Sequence, residues 1–302
     1  MKYIGITLDG MEKIAIQEIK EKTSSNPKEL SKTVILFETD KNLEEIQFQS
    51  LTRLLKYFSH KVGQLPEYDF SDLEEPIAIN CKRIGEHDFK STNIVEQIYK
   101  KINKKVDLKE PKCVIYVYIH ENMYLIGEDF LKKDLQKREY KLKTTSQSLN
   151  SLITYAAVRL SNYKEGDIIL DPICKTSETL IEAGLFAKGK LIGLDPRYPN
   201  IKNSKFNAKI ANIELDLYHG DLSWIQTKIN EYSVDHVITI LLLRNFEKKV
   251  KEIFRQSEYM LKEKGNVTII TNKRVSENNN FKLVNQLEIK HGQSYFISVF
   301  EK

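Results

Sequence analysis

The chain has 302 residues, of which 41% are hydrophobic and 29% are charged, and its formal net charge at pH 7 is +5. This is the composition of a globular protein with two or three domains, and it contains no run of the ~20 apolar residues that a membrane span needs. The three cysteines, Cys81, Cys113 and Cys174, lie far apart without CxxC spacing, which argues against a disulfide framework and a structural zinc site. The N-terminus does not resemble a signal peptide, so we expect a cytoplasmic protein without membrane or metal partners.

Residues 1–65 predict a small α+β unit. Strands are predicted over 3–8 and 33–38, with a helix over 11–21 between them, because a Ser-Ser-Asn-Pro turn separates the periodic segments. A second helix is predicted over 43–58, where apolar residues recur at helical spacing.

Residues 66–130 predict a second unit. Strands are expected over 77–81, 113–119 and 123–126, and the alternation of CVIYVYI is the strongest of these signals. A helix that Ser91 or Thr92 can cap is expected to run to residue 102.

Two basic segments flank the strands of this second unit. Each of residues 100–112 and 131–143 contains six basic residues and two acidic ones, a local charge of +4. Such clusters are usually solvated surfaces. Two of them around one predicted domain favour a polyanionic partner, because neutralised phosphates supply most of the non-specific affinity for nucleic acids.

Residues 148–302 alternate strands with helices, which predicts a doubly wound parallel sheet. The strands are expected over 167–170, 190–194, 214–218, 234–243 and 266–271, followed by an antiparallel hairpin of 281–289 with 294–300. The intervening helices are expected over 149–161, 177–187, 201–210 and 246–261. Ligands of such sheets bind at the carboxyl ends of the strands. We therefore expect the binding residues directly after each predicted strand.

Acidic residues stand at three of these strand ends. Asp171, with Pro172, ends the first strand, Asp195 ends the second, and Asp221 follows the third. An acid at the position of Asp195 accepts hydrogen bonds from ribose hydroxyls in nucleotide-binding sheets, although a turn before Pro196 needs the same residue. Asp221 is suited either to an adenine amine or to capping the segment that begins at Leu222.

Two other features argue against a bound nucleoside. The loop after Asp171 carries Lys175, Thr176, Ser177 and Glu178, where glycines would let the backbone approach a ligand closely. Thr176 or Ser177 is expected instead to cap the following helix. The fourth strand ends in four apolar residues that offer no polar group to an acceptor base: Ile240, Leu241, Leu242 and Leu243.

Several segments, in this order, resemble the archaeal and eukaryotic THUMP-domain tRNA guanine-N2-methyltransferases. They are GMEKIAIQEI, KRIGEHDFKS, VDLKEPKCVIYVYI, DPICKTSETLIEAG, IGLDPRY, KFNAKIANI and GDLSW. The resemblance covers nearly the whole chain. It implies a ferredoxin-like unit over 1–65, a THUMP RNA-binding domain over 66–130, a basic linker over 131–147 and a Rossmann-like methyltransferase domain over 148–302.

The departures from the family bear on activity. The family pattern is close to DPFCGSGTxLIEA, and Lys175 and Ser177 replace both of its glycines. Residues 240–243 replace an Asn-Pro-Pro-Tyr-type motif that in the family holds the amine to be methylated. The S-adenosylmethionine site implied by the resemblance is therefore expected to be vestigial or remodelled, with no cofactor and no catalytic residue. Its positions are Asp171, Pro172, Cys174, Asp195 and Asp221.

The leading hypothesis is a tRNA-binding protein on a methyltransferase scaffold that has lost its activity. By resemblance, the THUMP domain would recognise the acceptor end of tRNA and the linker would add backbone contacts. The candidate contacts are Arg83, Lys90, Lys132, Lys133, Lys137 and Arg138. The alternatives are an active S-adenosylmethionine-dependent tRNA methyltransferase with a remodelled site, and an adaptor that delivers tRNA to another modifying enzyme.

Overall fold

The structure is a computed structural model, and it describes residues 1–242, 246–277 and 280–302. The chain folds into two compact units. The first unit comprises residues 1–7 and 12–135, and the second comprises residues 8–11 and 136–302. Within the described residues, we find no helix with the length and apolar character that crossing a membrane requires.

The first unit is built on one seven-stranded sheet with two helices. Its elements are β1 (Lys2–Ile6), α1 (Glu12–Thr23), β2 (Lys28–Ser31), β3 (Val34–Glu38), β4 (Arg53–Val62), β5 (Ile77–Ile84), α2 (Ser91–Tyr99), β6 (Cys113–His120) and β7 (Met123–Glu128). The strand order is β2-β3-β1-β4-β7-β6-β5. Because β4 pairs with both β1 and β7, the predicted segments 1–65 and 66–130 share one sheet.

The predicted helix over 43–58 is wrong. A single 3-10 turn occupies Leu43–Glu45, and β4 begins at Arg53. Leu54 packs in a cluster with Ile19, whereas Leu55 packs in a separate cluster with Ile4, as the alternation of a strand requires. Apolar residues at this spacing are compatible with both a helix and a strand. The pairing of β4 with β1 and β7 selects the strand.

The second unit contains the predicted doubly wound sheet. Its elements are α3 (Ser151–Leu160), β8 (Ile168–Asp171), α4 (Glu178–Phe186), β9 (Lys190–Asp195), α5 (Tyr198–Ala211), β10 (Asp216–His219), β11 (Val234–Leu241), α6 (Phe246–Met260), β12 (Leu261–Thr271), β13 (Lys282–His291) and β14 (Gln293–Glu301). The strand order is β10-β9-β8-β11-β12-β14-β13. The first five strands in this order are parallel, and β14 is antiparallel to both of its neighbours, which confirms the predicted sheet and C-terminal hairpin.

Packing in this sheet positions the loop that follows β8. The Cys174 backbone N–H donates to the Leu194 carbonyl of β9 at 2.8 Å, so the loop lies directly on the neighbouring strand. Gly193 allows this approach, since a Cβ atom there would lie 3.0 Å from the Cys174 Sγ and 2.7 Å from Leu217. The ends of β8, β9 and β10 therefore open onto one edge of the sheet.

Candidate functional site

An open cavity of about 250 Å³ lies at these strand ends, within the second unit. Its walls include Pro172, Lys175, Asp195, Arg197, Asp221 and Lys249. The structure thus brings together three of the positions expected for a cofactor: Pro172, Asp195 and Asp221. Asp171 and Cys174 are buried and do not line the cavity.

The loop after β8 has the backbone of a glycine-rich turn but carries side chains. Lys175 has φ +52° and Ser177 has φ +60°, both in the left-handed region that glycine favours. A residue with a Cβ atom pays roughly 1–2 kcal/mol to adopt this conformation. The loop therefore keeps a left-handed backbone at two residues that carry side chains, and it is not an ordinary entry into a helix.

The expectation that Thr176 or Ser177 caps α4 is wrong. Ser177 precedes the helix, but its left-handed conformation leaves its side chain without a capping hydrogen bond. The Thr176 hydroxyl donates to the Glu178 carboxylate at 3.1 Å, not to a backbone N–H. Because Glu178 is buried and lies 3.5 Å from the Lys141 ammonium, the start of α4 is held by charge pairing.

Lys175 is the central residue of the loop. Its side chain is buried, and its Nζ donates to the carbonyl of Ile240, near the end of β11, at 2.8 Å. Burial lowers the pKa of Lys175, because a charged amine loses hydration there. Nearby carboxylates oppose this effect, in decreasing order Asp171, Glu178 and Asp195. A buried amine therefore stands at a position where the resemblance implies a glycine.

Asp195 accepts hydrogen bonds from the chain with both of its carboxylate oxygens. Oδ2 accepts from the Lys175 backbone N–H at 2.9 Å, and Oδ1 accepts from the Arg197 backbone N–H and the Asn200 side-chain amide, each at 2.9 Å. The carboxylate is 1% exposed. Asp195 therefore stabilises the turn around Pro196, which is one of the two roles that its sequence position allowed.

Asp221 likewise adopts the structural role that its sequence position allowed. Its Oδ1 accepts from the Ser223 backbone N–H at 3.1 Å and caps the 3-10 segment Leu222–Thr227. The side chain remains exposed at the wall of the cavity. Its predicted contact with a cofactor stays a prediction.

Asp171 and Cys174 form the buried floor beneath the loop. Burial raises the pKa of Asp171 to about 7, although its Oδ1 accepts a hydrogen bond from the Ile173 backbone N–H at 3.1 Å. Burial also raises the pKa of the Cys174 thiol well above its ordinary value. Because the thiolate is the reactive form of cysteine, Cys174 has the properties of a packing residue.

The apolar end of β11 meets the same loop. Ile240 and Leu241 are 4% and 1% exposed, which agrees with the expected buried strand end. Leu243, the last position of the replaced acceptor motif, lies outside the described residues. The Lys175 ammonium bonds to Ile240, so the two departures from the family pattern are joined by one hydrogen bond.

Arg138 requires a correction to the predicted set of RNA contacts. Its guanidinium is buried and forms two hydrogen bonds to Glu182, from Nε at 2.8 Å and from Nη2 at 3.2 Å. The Tyr140 hydroxyl donates to the same carboxylate at 2.8 Å. Because this guanidinium is buried and paired with Glu182, it is not a surface contact for RNA.

The other predicted RNA contacts reach the surface of their own units. In the first unit Lys90, Lys132 and Lys133 are exposed, and Arg83 is half-buried, with its guanidinium 5.4 Å from the centroid of the Phe89 ring. In the second unit Lys137 is exposed. Their binding to RNA stays a prediction.

Among the residues that the structure describes, no group of three or more His, Cys, Asp or Glu side chains could hold a metal ion. No sequence signal pointed to such a site either.

Comparison with known proteins gives matches to both units. The THUMP domain family matches residues 57–129, and the family described as an RMKL-like methyltransferase domain matches residues 138–272. Two solved structures share the fold over almost the whole chain. TrmN from Thermus thermophilus has a TM-score of 0.79 at 17% identity, covering 100% of this chain and 99% of its own. SMU.472, described as a methyltransferase complexed with SAH, has a TM-score of 0.75 at 13% identity, covering 99% and 97%.

Curated relatives include RNA-modifying enzymes. A tRNA (guanine(10)-N2)-dimethyltransferase of Methanocaldococcus jannaschii is 26% identical over 66% of this chain, which spans 62% of that relative's length. A tRNA (guanine(6)-N2)-methyltransferase of the same organism is 24% identical over 97% of both chains. The human U6 snRNA (guanine-N(2))-methyltransferase THUMPD2 is 27% identical over 57% of this chain and 35% of its own. The chain therefore carries a THUMP domain and an RMKL-like methyltransferase domain, and tRNA guanine-N2-methyltransferases are among its relatives.

Proposed function

We propose that this chain binds tRNA and that its methyltransferase domain no longer transfers a methyl group. The observation that carries the second part is the buried side chain of Lys175, whose Nζ donates to the Ile240 carbonyl at 2.8 Å. Lys175 thereby occupies the loop that a nucleoside cofactor would have to approach. Its hydrogen bond also links this loop to the end of β11, which would present the acceptor base.

The space and polar groups that remain are a poor fit to S-adenosylmethionine. The open cavity of about 250 Å³ is at the small end of ligand pockets, which usually begin at ~300 Å³. The Asp195 oxygens already accept hydrogen bonds from three groups of the chain. The sulfonium and ammonium groups of the cofactor would meet the positive charges of Lys175, Arg197 and Lys249 along the cavity, with Asp195 and Asp221 as the opposing carboxylates.

The tRNA-binding part rests on the THUMP domain and on surface charge. The THUMP match covers residues 57–129, and relatives with a similar chain carry the names of tRNA-modifying enzymes. Exposed lysines of both units, including Lys132, Lys133 and Lys137, offer phosphate contacts. We propose the acceptor end of tRNA as the part that the THUMP domain recognises, and delivery to another modifying enzyme as a role that a native pulldown would test.

A second candidate function is an active tRNA guanine-N2-methyltransferase with a remodelled site. The observation that favours it is the location of the cavity, which opens at the strand ends and has Asp195 and Asp221 in its walls. In this candidate the flexible Lys175 side chain leaves the Ile240 carbonyl when the cofactor enters. The named activities of the relatives fit this candidate as well.

Titration calorimetry with S-adenosylmethionine separates the two candidates. We expect no measurable binding heat with the wild-type chain. The double substitution Lys175→Gly with Ser177→Gly is expected to create micromolar binding, because it removes the buried amine and relieves two left-handed residues at once. The matched control is Lys164→Gly, in the exposed loop before β8, which should leave binding absent. Micromolar binding by the wild-type chain would overturn the proposed loss of activity.

Electrophoretic shifts with unmodified tRNA test the first part of the proposal. We expect the affinity to fall by at least about tenfold between about 50 and 200 mM salt, because each neutralised phosphate releases condensed counterions. Lys132→Ala with Lys133→Ala should weaken binding and flatten this salt dependence. An affinity that does not respond to salt would contradict binding through phosphate contacts.

A further inference from the structure

One face of α5 combines exposed lysines with exposed apolar side chains. This α5 face consists of six exposed residues: Tyr198, Lys202, Lys205, Phe206, Lys209 and Ile210. At 3.6 residues per turn, these six residues fall within an arc of roughly 140° around the helix axis. The opposite side of the helix carries the buried residues Ile201, Ser204, Asn207 and Ala208. The helix therefore has one buried side and one exposed side, and the exposed side carries apolar as well as charged residues.

The charge of this face has a single sign. No acidic residue occurs between Tyr198 and Ala211, and Arg197 directly precedes the helix. Solvated helices usually intersperse acids with their lysines, as α6 does with Glu247 and Glu252. Three lysines on one face without acidic neighbours repel one another unless a polyanion neutralises them.

The rings of Tyr198 and Phe206 lie on the same face as these lysines and are partly open to solvent. Tyr198 is 63% exposed and Phe206 is 42% exposed. Tyr198 makes an edge contact with His219, at a centroid distance of 5.7 Å. Aromatic faces of this kind are the platforms on which proteins stack unpaired bases.

The end of the basic linker is bound to the buried side of α5, and one of its side chains reaches the α5 face. The Asn207 side chain accepts from the Lys143 backbone N–H at 3.0 Å and donates to the Lys143 carbonyl at 2.8 Å. This pairing sets the Lys143 ammonium 5.3 Å from the centroid of the Phe206 ring. Lys143 therefore adds a positive charge to the α5 face beside Phe206, within the second unit.

We propose that the α5 face binds a single-stranded segment of RNA, an inference that rests on the proposed binding of tRNA. Lys202, Lys205 and Lys209 contact successive phosphates, while Tyr198 and Phe206 stack unpaired bases. Duplex RNA cannot stack on the rings of Tyr198 and Phe206, because its bases are already stacked on one another. The proposal holds whether or not the neighbouring cavity admits a cofactor.

Two pairs of substitutions test the two kinds of contact separately. Lys205→Ala with Lys209→Ala is expected to weaken tRNA binding about tenfold and to lower the slope of log affinity against log salt by about 1.4, as two lost single-strand phosphate contacts require. Tyr198→Ala with Phe206→Ala is expected to weaken binding roughly tenfold without changing that slope. The probes are tRNA and a short unpaired oligoribonucleotide, and circular dichroism checks folding.

The matched control is Lys248→Ala with Lys251→Ala on α6, where exposed lysines stand among acids. This pair is expected to bind RNA as the wild-type chain does. If wild-type binding is salt-dependent and both α5 pairs match the control, the inference is wrong and the proposed function stands. If the wild-type chain binds no tRNA, the proposed function itself fails.

Discussion

Replacing Arg138 by methionine is expected to lower the free energy of unfolding of the second unit by about 3–5 kcal/mol at neutral pH. The Arg138 guanidinium is 5% exposed and its partner Glu182 is 0% exposed. Removing the cation leaves a buried carboxylate with the Tyr140 hydroxyl as a remaining donor at 2.8 Å. An uncompensated buried charge is costly, whereas the net contribution of an intact buried ion pair is small.

Urea denaturation followed by tryptophan fluorescence measures this effect. The chain has one tryptophan, Trp224, and it lies in the second unit, so its signal reports on that unit. Lys137→Met, at the exposed neighbouring position, is the control and should change stability by less than about 0.5 kcal/mol. The double substitution Arg138→Met with Glu182→Leu should recover much of the loss. Equal stability of Arg138→Met and the wild-type chain would contradict the role assigned to this pair.

Asp171 is expected to make the stability of the second unit fall as the pH rises. Burial raises its pKa from 3.8 to about 7, so between these values the folded chain holds a proton that the unfolded chain has released. Stability therefore decreases with pH through this window and levels off above it. Between about pH 5 and pH 8 the wild-type chain should lose about 2–3 kcal/mol that Asp171→Asn does not lose.

The same fluorescence-detected denaturation, repeated at several pH values, checks this prediction. Asparagine keeps an oxygen that can accept from the Ile173 backbone N–H, so the comparison isolates the charge. Asp216→Asn is the control, because Asp216 is exposed and pairs with Lys190 only at the surface, at 3.6 Å. Parallel pH profiles for the wild-type chain and Asp171→Asn would show that Asp171 is already ionised at about pH 5.

The alternation of strands and helices was readable in the second unit because its patterns are local and strong. The strand β11, with its run of apolar residues, and the acids that end β8 and β9 were found at the expected positions. By contrast, the spacing of Leu51, Leu54 and Leu55 fits a helix as well as a strand. Pairing of β4 with β1 and β7 decided this case, and no local pattern contains information about such pairing.

The site divides in the same way. The sequence by itself determined that side chains replace the glycines after β8 and that an apolar segment replaces the acceptor motif. Only the tertiary structure decided that the Lys175 side chain bonds to Ile240, that Arg138 turns inward to Glu182, and that the α5 face with Tyr198 and Phe206 stays exposed. The physical reason is that burial and the choice of partner for a charged side chain depend on residues distant in the chain, whereas composition and periodicity describe near neighbours.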